Sequence, residues 1–320
     1  MPEANVLEEH YIRAYERNLG HENQQRERRL VGVIDENFNY SEPGESFSKD
    51  LVGKSRVNKR KDHDGRTPEG HRAARRRRGG HFEAYDVMDD LGPDIDRVKS
   101  SVTDPTSDLL MEQNMAIARA DDERVIHSIL GKSMSGKNLT NPNTLTLTNV
   151  PPGNPKTGNV IPIDSHEFNL GGSGETPLTS SKMQSARKIL RSRYVMGPMT
   201  CIASETQLAH LTNDEKLSSA DTNVVKSLVA GEPGRWQGFE YRPYEELSTI
   251  AQELGFDLGA NEEWVLCVAK SVAIHRKRVL KRPMVERMQE RRWNWHAYAE
   301  WEVGGARIYD EALLLIKCKA

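Results

Sequence analysis

The stretch Gly131-Lys132-Ser133-Met134-Ser135-Gly136-Lys137-Asn138 comes nearest in this chain to a phosphate-binding loop. A P-loop cradles phosphates with backbone amides and needs a Ser or Thr hydroxyl after its lysine to ligand Mg²⁺. Asn138 stands in that place. Such a loop must also follow a strand and open a helix, so that the helix N-terminus faces the phosphate. This one follows a helical pattern and runs into Asn141-Pro142-Asn143, which argues against nucleotide binding. Gly171-Gly172-Ser173-Gly174 precedes a helix and could cradle an anion. It lacks the GxGxxG spacing and an acidic partner, and reads as a connector.

Ten histidines invite a search for a metal or a base. His63, His71 and His81 fall in a basic stretch, while His127, His210, His275 and His296 sit singly on helical or strand patterns. No HExxH motif or His/Cys pair at ligand spacing is present, so no metal ligand is assigned. No two acids are marked as a general acid–base pair. Cys201, Cys267 and Cys318 form no CxxC pair, and their odd number argues against a disulfide framework, pointing to a reducing cytoplasm. No catalytic residue, cofactor site or metal site is expected.

The charged runs are more informative. The 320 residues carry 45 Lys+Arg against 47 Asp+Glu, a net of −2, yet the charges are segregated. Lys54–Arg78 holds 11 bases and 3 acids, and Glu83–Asp104 holds 7 acids and 2 bases. Lys59, Arg60, Lys61 and Arg75, Arg76, Arg77, Arg78 are the candidate contact residues. They can bind phosphates by counterion release, but no interleaved aromatics offer base stacking, so sequence reading is not expected. The competing partner is an acidic face of another copy of the chain, which its own acidic segments supply. A second cluster, Arg276–Arg292, has 8 bases and 2 acids.

The elements that must carry these residues are unevenly distributed. Only 36% of residues are apolar, 6% are aromatic, and mean hydropathy is −0.70. Residues 1–45 read as a polar arm with a helical stretch at Leu7–Leu19. Residues 46–82 are too poor in large apolar side chains to fold alone, and form an extended loop or hairpin that needs a neighbour to order it. Pro105–Leu130 reads as a helix of roughly 38 Å, capped by Asp104 and stopped by Gly131. A helix follows Pro177 with Met183, Ala186, Leu190 and Tyr194 on one face. Strands are expected at Asn159–Ile163, Met199–Ala203, Phe239–Arg242, Trp264–Ala269 and Ser271–His275, and helices at Glu205–Leu211 and Asp221–Val229. From Trp293 apolar and polar residues alternate to Val303, the mark of a half-buried strand. Gly304-Gly305 is expected to turn the chain so that Ala312–Cys318 pairs back against it. The longest apolar run is the six residues Trp264–Ala269, far too short to span a membrane, and the first residues show no secretory signal.

In this order the elements resemble the major capsid proteins of tailed bacteriophages with the Hong Kong ninety-seven type of fold. Asp121-Asp-Glu-Arg-Val-Ile-His-Ser-Ile-Leu-Gly131 is similar to the end of that family's long spine helix. Leu178–Leu190 followed by Met199–Leu211 (MTCIASETQLAHL) resembles its helix–strand–helix unit, with Ser204-Glu205 where a proline is common. Ser218–Asp221 through Lys226–Gly231, then Trp236-Gln-Gly-Phe239, and finally Trp293–Lys317, resemble its later segments.

The resemblance implies an α+β phage major capsid protein fold. Its parts would be an N-terminal arm (1–45), an extended loop (46–90), and a peripheral domain built on the spine helix (91–158) and closing strands of an antiparallel sheet (271–320). An axial domain (159–270) would lie between. It implies a non-enzymatic homo-oligomer whose hexamers and pentamers close an icosahedral virion shell around double-stranded DNA, bound without sequence specificity. Portal and scaffolding or cement proteins are implied partners, membranes are not, and assembly would take place in the host cytoplasm. The alternative keeps the fold as an encapsulin-like cargo compartment. A nucleotide hydrolase and a DNA-binding module remain the readings from other classes.

Overall fold

The computed structural model describes residues 25–53, 74–90, 105–151, 154–164, 174–195, 197–213, 234–259, 261–289 and 294–320. The helices expected at Leu7–Leu19 and Asp221–Val229, the Asp104 cap, Gly171 to Ser173, and Lys59, Arg60 and Lys61 lie outside the described residues. The chain divides into two compact units. One comprises Met1–Arg28, Ala84–Asp121 and Arg278–Glu302, the other Arg29–Glu83, Asp122–Lys277 and Val303–Ala320.

The larger unit is built on a six-stranded sheet whose strand order follows from hydrophobicity. β7 (Val160–Ile161), β8 (Met199–Ala203), β9 (Arg235–Trp236), β10 (Phe239–Pro243), β11 (Glu262–Ala269) and β14 (Leu313–Lys319) lie in the order β7-β14-β11-β8-β10-β9. The unbroken apolar run Trp264–Ala269 forms most of β11, a central strand, and is buried throughout because both of its faces are covered. It pairs antiparallel with β14 and β8. α2 (Ser180–Ser192) packs on β14 and α4 (Leu247–Glu253) on β11, while α3 (Glu205–Thr212) follows β8. Thr179 and Ser204 cap α2 and α3 by accepting backbone N–H bonds from Lys182 and Gln207. Ser204 therefore supplies as a cap the helix start that a proline would supply at the first turn.

Leu30, Val33 and Ile34 are fully buried in this core. Asp122, itself buried, accepts hydrogen bonds from the backbone of Arg29 (2.7 Å) and Leu30 (3.2 Å). β1 (Asp35–Asn37) then pairs in parallel with Ile274 to Arg276. The last third of the segment read as a polar arm is thus anchored by three apolar side chains and one carboxylate.

A four-stranded sheet in the same unit runs β2 (Ser46–Val52), β3 (Arg75–His81), β5 (Ser133–Ser135), β6 (Asn141–Asn143). β2 and β3 pair antiparallel from Ser46↔His81 to Val52↔Arg75, the hairpin expected of this segment. The Gly131–Asn138 stretch forms β5 and the turn toward β6, with Gly136 at φ 94°. No helix follows it, so it has no P-loop geometry.

α1 (Pro105–Leu130) has the expected bounds. In a further four-stranded sheet, β13 (Asn294–Arg307) lies between β12 (Ala273–Met288) and β4 (Glu83–Asp90). The alternation of β13 holds at Ala297, Ala299, Trp301 and Val303, all buried, and fails at His296, which is also buried. Tyr85 stacks on Trp301 at 6.3 Å between ring centroids.

Two expectations are corrected. The chain does not turn at Gly304-Gly305: β13 runs through both to Arg307, and the turn is a 3₁₀ segment at Asp310–Ala312. β14 consequently pairs with β11 and β7, not with β13. The glycines serve close approach. A Cβ on Gly305 would overlap Ser128, 2.7 Å from its Cβ, and one on Gly304 would lie 3.0 Å from the His81 carbonyl oxygen and strike the Phe47 ring. Tyr194 does not share the α2 face, because its φ of 60° ends the helix and leaves the ring 72% exposed.

Candidate assembly surface

Strand geometry divides the basic run of β3, since successive side chains point to opposite faces. Arg77 faces Asp50 across the ladder. Its guanidinium donates to both carboxylate oxygens, at 2.6 and 3.0 Å, and to the Lys137 carbonyl at 3.3 Å. The hydrogen bond from Arg77 holds the Asp50 carboxyl below the usual carboxylate range. Arg78 turns inward and donates to the Ile308 carbonyl at 3.0 Å and to both Asp310 oxygens at 2.9 and 2.7 Å.

Asp310 is shared. Arg307, with no exposed side-chain surface, donates to it at 2.7 Å and also to the carbonyls of Ile129 (3.0 Å), Gly131 (2.7 Å) and Asn143 (3.3 Å). It thereby satisfies the orphan carbonyls at the end of α1. Burial pushes the Arg307 pKa down. Burial also pushes the Asp310 carboxyl up, but hydrogen bonds from Arg78 and Arg307 outweigh it and leave the group below its ordinary value.

Arg75, Arg76 and Arg77 are all exposed, but Arg75 and Arg76 make no ion pair among the described residues, although the charge of Arg75 also acts on Asp50. Arg76 and Arg78 line a cavity of about 590 Å³ with Leu51, Val52, Tyr309 and Glu311. Val52 is 72% exposed and Tyr309 43%. An apolar wall with a charged rim is the composition of a protein contact. In the smaller unit, Val279, Leu280 and Met284 of β12 are exposed on either side of Lys281 and Arg282. Exposed apolar side chains on both faces of a strand make this a candidate association surface.

The sequence reading named Arg77 and Arg78 among the candidate contact residues; in the structure both pair with carboxylates of their own chain. It missed their partners, because Asp50 and Asp310 lie 27 and 232 residues away. It also passed over Val279, Leu280 and Met284, although these apolar residues inside a basic cluster were a visible signal.

Residues 7–320 match the family described as phage capsid protein. No curated protein matches the chain. Among solved structures, the capsid of Ralstonia phage GP4 is similar with a TM-score of 0.71 at 10% identity, covering 100% of this chain and 98% of that one. The capsid of cyanophage Pam1 gives 0.67 at 10% identity, covering 100% and 99%. A protein of Mycobacterium phage Che8 gives 0.61 at 16%, covering 95% and 96%. The fold is that of phage capsids of the Hong Kong ninety-seven type, and the family match does not favour a cargo compartment. The chain belongs to the phage capsid protein family: it is a structural, non-enzymatic protein whose copies form the capsid shell of a virion.

Proposed function

We propose that the shell is an icosahedral lattice of hexamers and pentamers around double-stranded DNA, assembled in the host cytoplasm, with portal and scaffolding or cement proteins as partners. In this reading 1–45 is the arm, 46–90 the extended loop, 91–158 and 271–320 the peripheral domain, and 159–270 the axial domain. Arg75 and Arg76, with Lys59, Arg60 and Lys61 of the same basic segment, contact a neighbouring copy rather than DNA. The observation that carries this is the β2–β3 hairpin, which ends in exposed Val52, Arg75 and Arg76 beside the cavity under Tyr309. Beyond its pairing with β5 at Arg78 and Gly79 this ribbon is two-stranded and buries little apolar surface, so a partner's surface completes it.

The double variant Arg75→Glu/Arg76→Glu tests it. These exposed positions change folding stability by no more than about 0.5 kcal/mol, so circular dichroism stays as in the wild type. Negative-stain microscopy then shows loose capsomers in place of closed particles. Closed particles at normal yield with a reduced DNA content would instead assign the arginines to the genome and overturn the neighbour contact.

A further inference from the structure

One helical turn separates Glu123 from His127 on α1, so both side chains share a face. Glu253, the last residue of α4, comes to the same place. One donor atom from each of the three lies within 4.8 Å of the others. The His127 ring is 25% exposed, but its Nε2 is buried and makes no hydrogen bond, with Glu123 Oε1 3.4 Å away. A buried ring nitrogen left in this state costs free energy that a ligand can recover.

The charges around it have the sign a cation needs. Glu123, Glu253 and Glu83 bring three negative charges within range of the imidazole, against one positive charge from Arg124. Arg124 lies 3.3 Å from Glu123 and 3.9 Å from Glu83, so it neutralises only part of this field. His127 and Glu253 also line a cavity of about 470 Å³, ample for the waters that complete a coordination shell.

We propose that Glu123, His127 and Glu253 form a binding site for a divalent transition-metal ion of the zinc class. One imidazole and two carboxylates are a donor set that such ions accept, with the remaining position open to water. All three ligands lie within the larger unit, on the last turns of α1 and at the end of α4, so the ion ties the end of α1 to the end of α4. Nothing in shell formation requires this site, and it stands or falls apart from the neighbour contact of Arg75 and Arg76.

The full-length protein, stripped with chelator and dialysed, is titrated with Zn²⁺ by calorimetry, and separately with Co²⁺ by visible absorption. The expected result is one ion per chain, an intense tetrahedral Co²⁺ spectrum, and a thermal midpoint that rises with added Zn²⁺. His127→Gln and Glu253→Gln each weaken binding by more than the roughly 10–100-fold that outer-shell changes cost. Glu253 is exposed, so its variant folds even if His127→Gln does not. Absence of a one-to-one binding isotherm, or unchanged affinity in Glu253→Gln, would reduce the cluster to an ion-pair network and overturn the assignment.

Discussion

Arg307→Met is the substitution whose cost the structure specifies most fully. The guanidinium has no solvent contact, and it serves the Ile129, Gly131 and Asn143 carbonyls and Asp310 together. Methionine fills much of its volume without donating a hydrogen bond. Asp310 keeps both bonds from Arg78, so it is not stranded. The carbonyls fare differently. That of Ile129 belongs to a residue with no exposed surface, and leaving such a group unpaired costs about 1–3 kcal/mol. The Gly131 carbonyl belongs to a half-buried residue and water recovers part of its loss. A favourable cation at a partly buried helix C-terminus adds up to about 2 kcal/mol. Relief of guanidinium desolvation offsets some of this, leaving about 3 kcal/mol, the low end for breaking a buried charge network.

Scanning calorimetry on unassembled protein at fixed concentration measures it, since assembly would itself raise the midpoint. At roughly 2–4 °C per kcal/mol for a large domain, the midpoint falls by about 6–12 °C. Arg307→Lys retains the charge but only one of the fork's directions, and falls between the two. A drop below about 2 °C for Arg307→Met would refute the reasoning, for it would mean that the carbonyls find other donors at no cost.

Other predictions are briefer. Gly305→Ala forces a Cβ into Ser128, whose Cα would sit 3.1 Å away, so the variant loses about 1–3 kcal/mol in the same calorimetric assay, and Ser128→Gly restores part of it. Cys201, Cys267 and Cys318 are buried, with burial pushing the Cys318 thiol up to about 12, so a thiol reagent labels them only at the rate of unfolding; fast labelling of native protein would contradict this. Asp310 is held below its unfolded pKa of about 3.9. Its contribution is therefore present above that pH and is lost as pH falls through the depressed value. Asp310→Asn should lower stability at neutral pH and flatten the acid limb of the stability curve.

The parts legible in the sequence were those fixed by local periodicity. The 26 residues of α1, the apolar run of β11 and the alternation of β13 each follow from spacing alone. What escaped was decided by residues distant in the chain. Gly304-Gly305 has the composition of a turn, and only Ser128 and Phe47 packed against those backbones make it a straight strand instead. Glu123 and His127 carried a ligand spacing, but Glu253 lies 126 residues further on.

The same distance explains why a chain with so many charges holds its core together. Three of its buried cations donate to backbone carbonyls at element ends and in the loops beside them. Lys182 donates to the Thr176 and Lys317 carbonyls at 2.7 and 2.9 Å, and burial lowers its pKa. Arg193 gathers the carbonyls of Pro155 and Gly158, at 2.8 and 2.5 Å, and Arg307 those of Ile129, Gly131 and Asn143. A loop whose carbonyls had no such donor would have to stay in water. With one, it can be drawn onto the sheet without forming secondary structure. Charge in this protein therefore has two uses that composition cannot separate: a cation that has reached a carbonyl or carboxylate within its own chain fixes the subunit. Arg75 and Arg76, which make no ion pair among the described residues, are the cations we propose fix the lattice.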